Sequence, residues 1–171
     1  MCYRLQQFWR IVTADPLSAS AQQEVSTVLS RAEEALFYRL TLSDQWHSIR
    51  VLRALRADGH TETALLAAAL LHDVGKTRFP LSLWDRTLIV LAQALLPGKI
   101  AAWGAADPVG WRRPFVIKMQ HPEWGAEMAR EAGCAPPVVW LIRHHQDKLK
   151  ADGGSEWAAL LRPLQWADDR N

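Results

Sequence analysis

The fold of this chain is constrained most by one run of residues, which would form a helix with apolar side chains on every face. Residues 64–71 read ALLAAALL, and Thr61 shortly before them can cap a helix. A helix without a polar face belongs in the centre of a fold, and its alanines let neighbouring helices approach closely. The run ends at His72-Asp73, with Gly75 as the expected terminator. The sequence therefore predicts a central helix that carries a histidine and a carboxylate at one end.

The rest of the chain also has helical rather than strand patterns. Residues 20–40 carry apolar side chains at three- and four-residue steps, the period of a one-sided helix. No alternating run, and no Asn-Gly or Asp-Gly hairpin between two such runs, predicts a strand. We therefore expect an all-α bundle of six to eight helices. Start signals stand at Thr41, Ser82, Pro122 and Pro136, and stop signals at Gly59 and Pro97-Gly98.

Residues 97–113 are the least regular part of the predicted fold. They read PGKIAAWGAADPVGWRR, and this density of Gly and Pro is typical of a loop, which we expect to close over a substrate. Pro122 is then expected to begin a helix that ends near Ala132, because proline is tolerated in a first helical turn. A last helix from Ser155 is expected to bend at Pro163. We assign residues 1–19 to an N-terminal extension and residues 20–171 to the domain.

Composition limits the class of protein. Twenty Lys and Arg stand against 18 Asp and Glu, and the net charge of +2 is too small to indicate a nucleic-acid-binding protein. The two cysteines, Cys2 and Cys134, are too far apart for a disulfide framework or a thiolate zinc site to be expected. The first residues lack the apolar core of a signal peptide, and no apolar stretch is long enough for a bilayer span. We therefore expect a cytoplasmic protein that binds neither nucleic acid nor membrane.

Histidines and aspartates recur at intervals that suit a shared metal centre. Several of the intervals are in the twenties, the length of one helix plus a return, so successive helices can present ligands to one point. Asp73 is expected to be partly desolvated at the end of an apolar run, where a divalent cation would offset its charge. The candidate ligands are His47, His72, Asp73, His121, His144, His145 and Asp168.

The ordered set His…His-Asp…Asp resembles the HD superfamily of metal-dependent phosphohydrolases. The matching segments are WHSIRV around His47, LLHDVGK at 70–76, HPEWGAEMA at 121–129, IRHH at 142–145 and WAD at 166–168. The arrangement is most similar to the HD-GYP type, and also to small HD proteins that cleave dinucleoside polyphosphates. However, Gln146 stands where the HD-GYP type usually has Glu, and Gly-Tyr-Pro is missing. The resemblance therefore implies a stand-alone HD domain without implying cyclic-di-GMP hydrolysis.

Carried over position by position, the resemblance implies two divalent ions bridged by Asp73. A three-metal variant would need a carboxylate one turn before His47, where this chain has Ser43. Mixed His and Asp ligands suit Mn²⁺, Fe²⁺, Zn²⁺ or Ni²⁺. The first ion would be held by His47, His72, Asp73 and Asp168, and the second by Asp73, His121, His144 and His145.

Two such ions suit hydrolysis of a phosphoester or phosphoanhydride bond, because they bind phosphate oxygens and generate hydroxide from water near pH 7. The expected substrate is a nucleotide or another small phosphorylated metabolite. Asp73 and Lys76 are the predicted catalytic residues, and Lys76 lies close enough to the His-Asp pair to contact the phosphate. Further candidates for phosphate binding are Arg50, Arg78 and Arg143.

Alternatives exist for the function and for single residues. An HD-fold diiron oxygenase would use nearly the same ligands, and a catalytically silent signalling domain would keep the fold while losing ligands. His72 at a helix end can instead interact with the helix dipole. One member of the His144-His145 pair can lie outside the centre, and Asp169 competes with the favoured Asp168. The pattern specifies no oligomeric state.

Overall fold

The computed structural model describes residues 15–147 and 157–171. Within these two ranges the chain forms nine α-helices, three 3-10 segments and no strand, so the predicted all-α fold is confirmed. The 3-10 segments are Val74–Arg78, Pro97–Lys99 and Gly110–Arg112. The helices are α1 (Ala19–Ser26), α2 (Arg31–Phe37), α3 (Leu42–Ala57), α4 (Thr63–Leu71), α5 (Leu83–Leu95), α6 (Ile100–Gly104), α7 (Arg113–Glu131), α8 (Pro136–His144) and α9 (Ala158–Asp169).

In two regions the helices differ from the prediction, and both differences increase the number of helices. Residues 20–40 form α1 and α2 rather than one helix, because Ser30 and Glu33 start a new helix with a capping box. In this box the Glu33 carboxylate accepts from the Ser30 N–H at 2.8 Å, while the Ser30 hydroxyl accepts from the Glu33 N–H. The segment 97–113, expected to be a loop, contains the short helix α6 between two 3-10 segments.

Two of the predicted caps are confirmed. The Thr41 hydroxyl accepts from the Asp44 N–H at the start of α3, and Ser82 forms a capping box with Asp85 at the start of α5. Gly59 follows α3 with a φ of +93°, the left-handed conformation that favours glycine after a helix. The cap expected at Thr61 is not formed, since α4 begins at Thr63 without a side-chain cap.

Helix α7 runs through Pro122 instead of beginning there, which corrects the sequence-based expectation. Proline has no N–H to offer the carbonyl four residues earlier, which is that of Lys118. The ring Nδ1–H of His121 donates to this carbonyl at 2.9 Å and to that of Ile117 at 3.0 Å. A side chain thereby takes over the hydrogen bond that proline cannot make, and the helix continues.

Most of the fold is built around α4, as predicted. Every residue from Leu65 to Leu71 is buried. Among the described residues, the main core consists of 28 buried apolar side chains from α1 to α4, α7 to α9, Val74 and the segments next to these helices. A second cluster joins α5 and α6 to the first turn of α7, and its four buried members in the described ranges are Ile89, Ala92, Ile100 and Phe115. Helices of both clusters contribute to the candidate site described below.

No single helix in the described ranges is long and apolar enough to cross a membrane. Helix α5 and the following Pro97–Gly104 segment reach that length and apolarity only when taken together, and the pair bends by 112°. Residues 1–14 of the predicted N-terminal extension and the predicted helix start at Ser155 lie outside the described residues. The predicted boundary between residues 19 and 20 stays a prediction.

Candidate metal centre

Five helices bring six of the predicted ligands together beyond the end of α4. His47 comes from α3, and His72 and Asp73 directly follow α4. The others are His121 on α7, His145 directly after α8 and Asp168 on α9. Their ligand atoms form a first group of His47, His72 and Asp168 and a second group of Asp73, His121 and His145, and within each group these atoms lie within 4.8 Å of one another.

Asp73 connects the two groups. Its Oδ2 lies 3.5 Å from Nε2 of His72, and its Oδ1 lies 3.3 Å from Nε2 of His121 and 4.0 Å from Nε2 of His145. One carboxylate oxygen therefore faces each group, which is the arrangement that a bridging ligand requires. In the first group, Oδ1 of Asp168 lies 2.8 Å from Nε2 of His47 and 3.5 Å from Nε2 of His72.

Three histidines are oriented by backbone carbonyls. Nδ1 of His72 donates to the Ala69 carbonyl at 3.0 Å, and Nδ1 of His145 donates to the Ile142 carbonyl at 2.7 Å. Both carbonyls lie in a last helical turn, where carbonyls lack a helical donor. His121 uses the Lys118 carbonyl, which Pro122 leaves without a helical donor, and also the Ile117 carbonyl. Because a carbonyl can only accept, Nδ1 carries a proton in each of the three rings, and Nε2 is the nitrogen that points into the centre, as in a metal-binding histidine.

These side chains are better suited to binding a cation than to forming hydrogen bonds with one another. Nε2 of His72 is buried and has no hydrogen-bond partner among the residues that the structure describes. Nε2 of His121 lies 3.3 Å from Nε2 of His145, although the proton of each ring is on Nδ1, so two lone pairs face each other. Divalent cations at the two groups would satisfy these nitrogens. The mixed imidazole and carboxylate donors suit Mn²⁺, Fe²⁺, Zn²⁺ or Ni²⁺.

The electrostatics of the centre also favour a cation. Burial disfavours a charged His72, but the carboxylates of Asp73 and Asp168 outweigh burial and raise its pKa to about 9. Burial likewise opposes ionisation of Asp73, yet Lys76 and His72 hold its pKa well below the usual value. Burial and the neighbouring His72 and His121 lower the pKa of His145 to about 3, which keeps this ring neutral and able to bind metal at neutral pH.

A cavity of about 360 Å³ opens onto both groups. Two of the predicted substrate-binding residues, Lys76 and Arg50, lie in its wall. Nζ of Lys76 is 2.5 Å from Oδ2 of Asp73, so this lysine stands directly beside the bridging position. Leu81, Ile89 and Val90 add apolar surface to the lining of the cavity.

The cavity also contains charged residues that the sequence prediction does not include. Lys118 lies three residues before His121 on α7, and Asp44 lies three residues before His47 on α3. Residues three apart share a helix face, so spacing from a predicted ligand was a signal for both. Arg86 had no such signal, because it reaches the cavity from α5, where it forms a forked ion pair with Asp44 at 2.9 to 3.2 Å.

His144 does not join the centre. Its Nδ1 lies 2.6 Å from Oδ2 of Asp147, and its ring packs against Trp140 with centroids 4.4 Å apart. Successive helical residues point about 100° apart, so the neighbours His144 and His145 face different directions, and only His145 faces the centre. This placement corrects the sequence-based ligand set, in which both histidines are ligands.

Two predicted phosphate-binding arginines also lie outside the cavity wall. Arg143 forms an ion pair with Glu123 at 2.7 Å, and Arg78 forms one with Glu127 at 3.0 Å. The sequence pattern placed both arginines near candidate ligands, but the helix faces direct them elsewhere. The side chains proposed to bind phosphate therefore no longer include Arg143 and Arg78, and they now include Lys118 and Arg86.

A glycine lets the two halves of the centre approach closely. Gly75 lies in the 3-10 segment that follows Asp73, and this segment packs against α7. A Cβ atom at Gly75 would overlap the carbonyl oxygen of His121 and would lie 2.6 Å from the amide nitrogen of Gly125. Only glycine therefore allows Asp73 to come within reach of His121.

Comparison with known protein families yields a match over residues 46–169, to the family described as the HD domain. Searches of curated proteins and of solved structures found no significant match. The matched range covers more than half of the chain and contains every residue of both ligand groups. The chain therefore belongs to the HD domain family, an all-α family of divalent-metal-binding proteins.

Proposed function

We propose that this protein is a metal-dependent phosphohydrolase that cleaves a phosphoester or phosphoanhydride bond in a nucleotide or another small phosphorylated metabolite. The observation that carries the proposal is the position of Asp73 between two ligand groups, with the ammonium of Lys76 beside it. Two divalent ions bound there would act as Lewis acids on the phosphate and on water. The cytoplasmic location and the small-molecule substrate are parts of the same proposal.

The ligand groups leave room for substrate. Counting Asp73 in both, the first group would offer four side chains and the second group three. Catalytic metal sites use such partial protein coordination and keep positions open for water and substrate oxygens. The hydrogen bonds from Nδ1 of three histidines to backbone carbonyls hold these donors in place before a substrate binds.

Four cations in the cavity favour a phosphorylated substrate: Lys76, Arg50, Arg86 and Lys118. Burial disfavours a charged Lys76, but Asp73 and Asp44 outweigh burial and raise its pKa, so the ammonium stays charged. Among the described residues Lys118 makes no ion pair, and burial together with the charge of Lys76 lowers its pKa. A phosphate oxygen would provide the negative partner that Lys118 lacks.

The size and the apolar wall of the cavity favour a small substrate. A cavity of about 360 Å³ lies near the lower end of small-molecule sites. The phosphate would contact the cations, and the organic part would contact Leu81, Ile89 and Val90. Asn171 and Gln146, which also line the cavity, offer amide groups for substrate hydroxyls.

The first experiment combines elemental analysis with phosphate release, measured over a panel of nucleotides and sugar phosphates with added Mn²⁺. We expect two ions per wild-type chain. Asp168→Ala should lose the ion of the first group and reduce turnover by at least about 100-fold. The matched control is Asp169→Ala, an exposed carboxylate one residue away, which should keep wild-type metal content and turnover.

The adjacent histidines provide an equally matched pair for the second group. His145→Ala should lose metal and activity, whereas His144→Ala should keep both, because His144 faces Asp147. Iron content with an O₂-dependent product and no phosphate release would contradict hydrolysis and support the diiron oxygenase. A folded, metal-loaded chain that releases no phosphate from any member of the panel would support a silent signalling domain.

Substrate binding is tested separately through Lys118. Lys118→Met should raise KM by about tenfold or more while the metal content stays unchanged, because a hydrogen bond to a charged group is lost. Lys99→Met, at an exposed lysine that does not line the cavity, serves as the control. An unchanged KM in Lys118→Met would remove this lysine from the proposed substrate site.

A further inference from the structure

Helix α5 presents an exposed apolar stripe. Seven of the 13 exposed large apolar side chains of the described residues lie between Leu83 and Leu96. Four of them, Trp84, Leu88, Leu91 and Leu95, follow one another at steps of four, three and four residues. At about 100° per residue they fall within about 60° of the helix circumference. This spacing is that of the seam through which paired helices contact each other.

No charged side chain stands along this stripe. The two charged residues of α5 are Asp85, which pairs with Arg113 at 3.1 Å, and Arg86, which pairs with Asp44 at 2.9 Å. Both bind other parts of the same chain. From residue 87 to residue 98 the sequence has no charged residue. Two copies of the stripe can therefore meet without charge repulsion.

The stripe is symmetric about its own midpoint, which lies between Leu88 and Leu91. A two-fold axis through this point would place Trp84 opposite the partner's Leu95, and Leu88 opposite the partner's Leu91. Trp84 is 84% exposed and Leu95 is 74% exposed, the two largest values among the large apolar side chains of the described residues. An antiparallel pair would thus cover each of them with the other, as a self-complementary interface does.

We propose that a second copy of this chain covers the stripe through antiparallel pairing of two α5 helices. The exposed fractions of Trp84, Leu88, Leu91 and Leu95 amount to roughly 500 Å² on each copy, so the pair would bury about 1,000 Å² in total, the lower limit for a specific interface. A helix that lies on a bilayer carries cations on its polar face. Between residues 87 and 98 there are none, so the second copy is favoured over a lipid surface.

Sedimentation velocity of the full chain over a wide concentration range tests the pairing. The wild type should be a dimer, and the double variant Leu88→Lys with Leu91→Lys should be a monomer with unchanged helicity and metal content. The matched control is Gln93→Lys, an exposed change on the side of α5 opposite the stripe, which should stay dimeric. A monomeric wild type, or a double variant that stays dimeric, would overturn the proposal.

Cross-linking tests the direction of the pair in nearly native chains. Trp84→Cys and Leu95→Cys are made separately in a Cys2→Ser background and treated with a short thiol cross-linker. A mixture of the two variants should cross-link, whereas each alone should not, because identical positions would lie about 16 Å apart along the axis. Cross-linking of each variant with itself, and no cross-link between the two different variants in the mixture, would overturn the antiparallel arrangement.

A lipid bilayer or the N-terminal residues of the same chain could cover the stripe instead of a second copy. Each of these alternatives predicts a different experimental result. A wild-type monomer that floats with phosphatidylcholine–phosphatidylglycerol vesicles, when the Leu88→Lys and Leu91→Lys variant does not, would overturn the proposal in favour of a bilayer. A wild-type monomer that dimerises after Phe8→Lys and Trp9→Lys would overturn it in favour of cover by the N-terminal residues of the same chain.

Discussion

The main core and the second cluster differ in size and in what they contribute to the site. Counted over residues 15–147 and 157–171, the main core has 28 buried apolar side chains and the second cluster has four. Most ligands lie on or directly after helices of the main core, whereas α5 of the second cluster supplies Arg86 and part of the apolar wall. The candidate metal ligands are therefore held by the larger buried core, and part of the proposed substrate contact lies in the smaller cluster.

Helix α7 belongs to both regions. Phe115 in its first turns packs in the second cluster, His121 reaches the metal centre, and Ala126 and Ala129 pack in the main core. Helix α5 contacts this helix and is tied to α3 by the Arg86–Asp44 ion pair. A change in the second cluster can therefore reach the cavity without passing through the main core.

The largest expected difference between the regions concerns two glycines. Gly75→Ala should cost at least about 3 kcal/mol and reduce metal binding, because the new Cβ overlaps the His121 carbonyl. Gly98→Ala, just after α5, should change the free energy of unfolding by less than about 0.5 kcal/mol, since no atom of the described residues lies within 4 Å of the new Cβ. Urea unfolding and elemental analysis measure both. Wild-type metal content and stability in Gly75→Ala would contradict the close approach of Asp73 and His121.

The next largest difference between the two regions should be the loss of stability caused by substitutions that create a cavity. Leu70→Ala removes a fully buried side chain of the main core and should cost about 3 kcal/mol. Ile89→Ala in the second cluster should cost less, about 2 kcal/mol, because far fewer buried neighbours surround it. In hydrogen exchange, Leu70→Ala should speed exchange throughout the main core, and Ile89→Ala only in α5 and α6. Equal exchange patterns would show that the two regions unfold as one unit.

The rate at which a cysteine thiol reacts should also differ between the two regions. Measuring this rate disturbs the molecule least. Burial, and then the neighbouring Glu33, raise the pKa of Cys134 in the main core from 9.0 to about 12. At pH 8 a raised pKa means less thiolate, so alkylation of Cys134 should be at least about 1000-fold slower than that of an ordinary thiol. The thiol of a Gln93→Cys variant on exposed α5 should react at the ordinary rate.

Iodoacetamide labelling followed by peptide mapping measures both rates. As the pH rises toward 12, the Cys134 thiolate fraction increases and the difference should shrink. Unfolding in urea should abolish it. Equal rates for the two thiols at pH 8 would contradict the tight packing of the main core around Cys134.

Short sequence signals such as caps and prolines predicted most helices. They gave the wrong helix boundaries at two places. The Thr41 and Ser82 caps are formed as expected, because each needs only a few consecutive residues. The same pattern at Ser30 and Glu33 was present in the sequence and explains why residues 20–40 divide into two helices. Pro122 was misleading because a histidine side chain replaces the missing N–H, a compensation that only the folded backbone reveals.

The sequence by itself determined the donor types of the site and the position of His72 and Asp73 at the end of a helix, because periodicity is a short-range property. It also determined that α4 is central, since a helix with no polar side must be buried. Only the tertiary structure decided that His145 faces the centre while His144 faces Asp147, and that Arg86 and Lys118 reach the cavity. Which way a side chain points relative to another helix depends on packing between segments far apart in the chain, which no local pattern encodes.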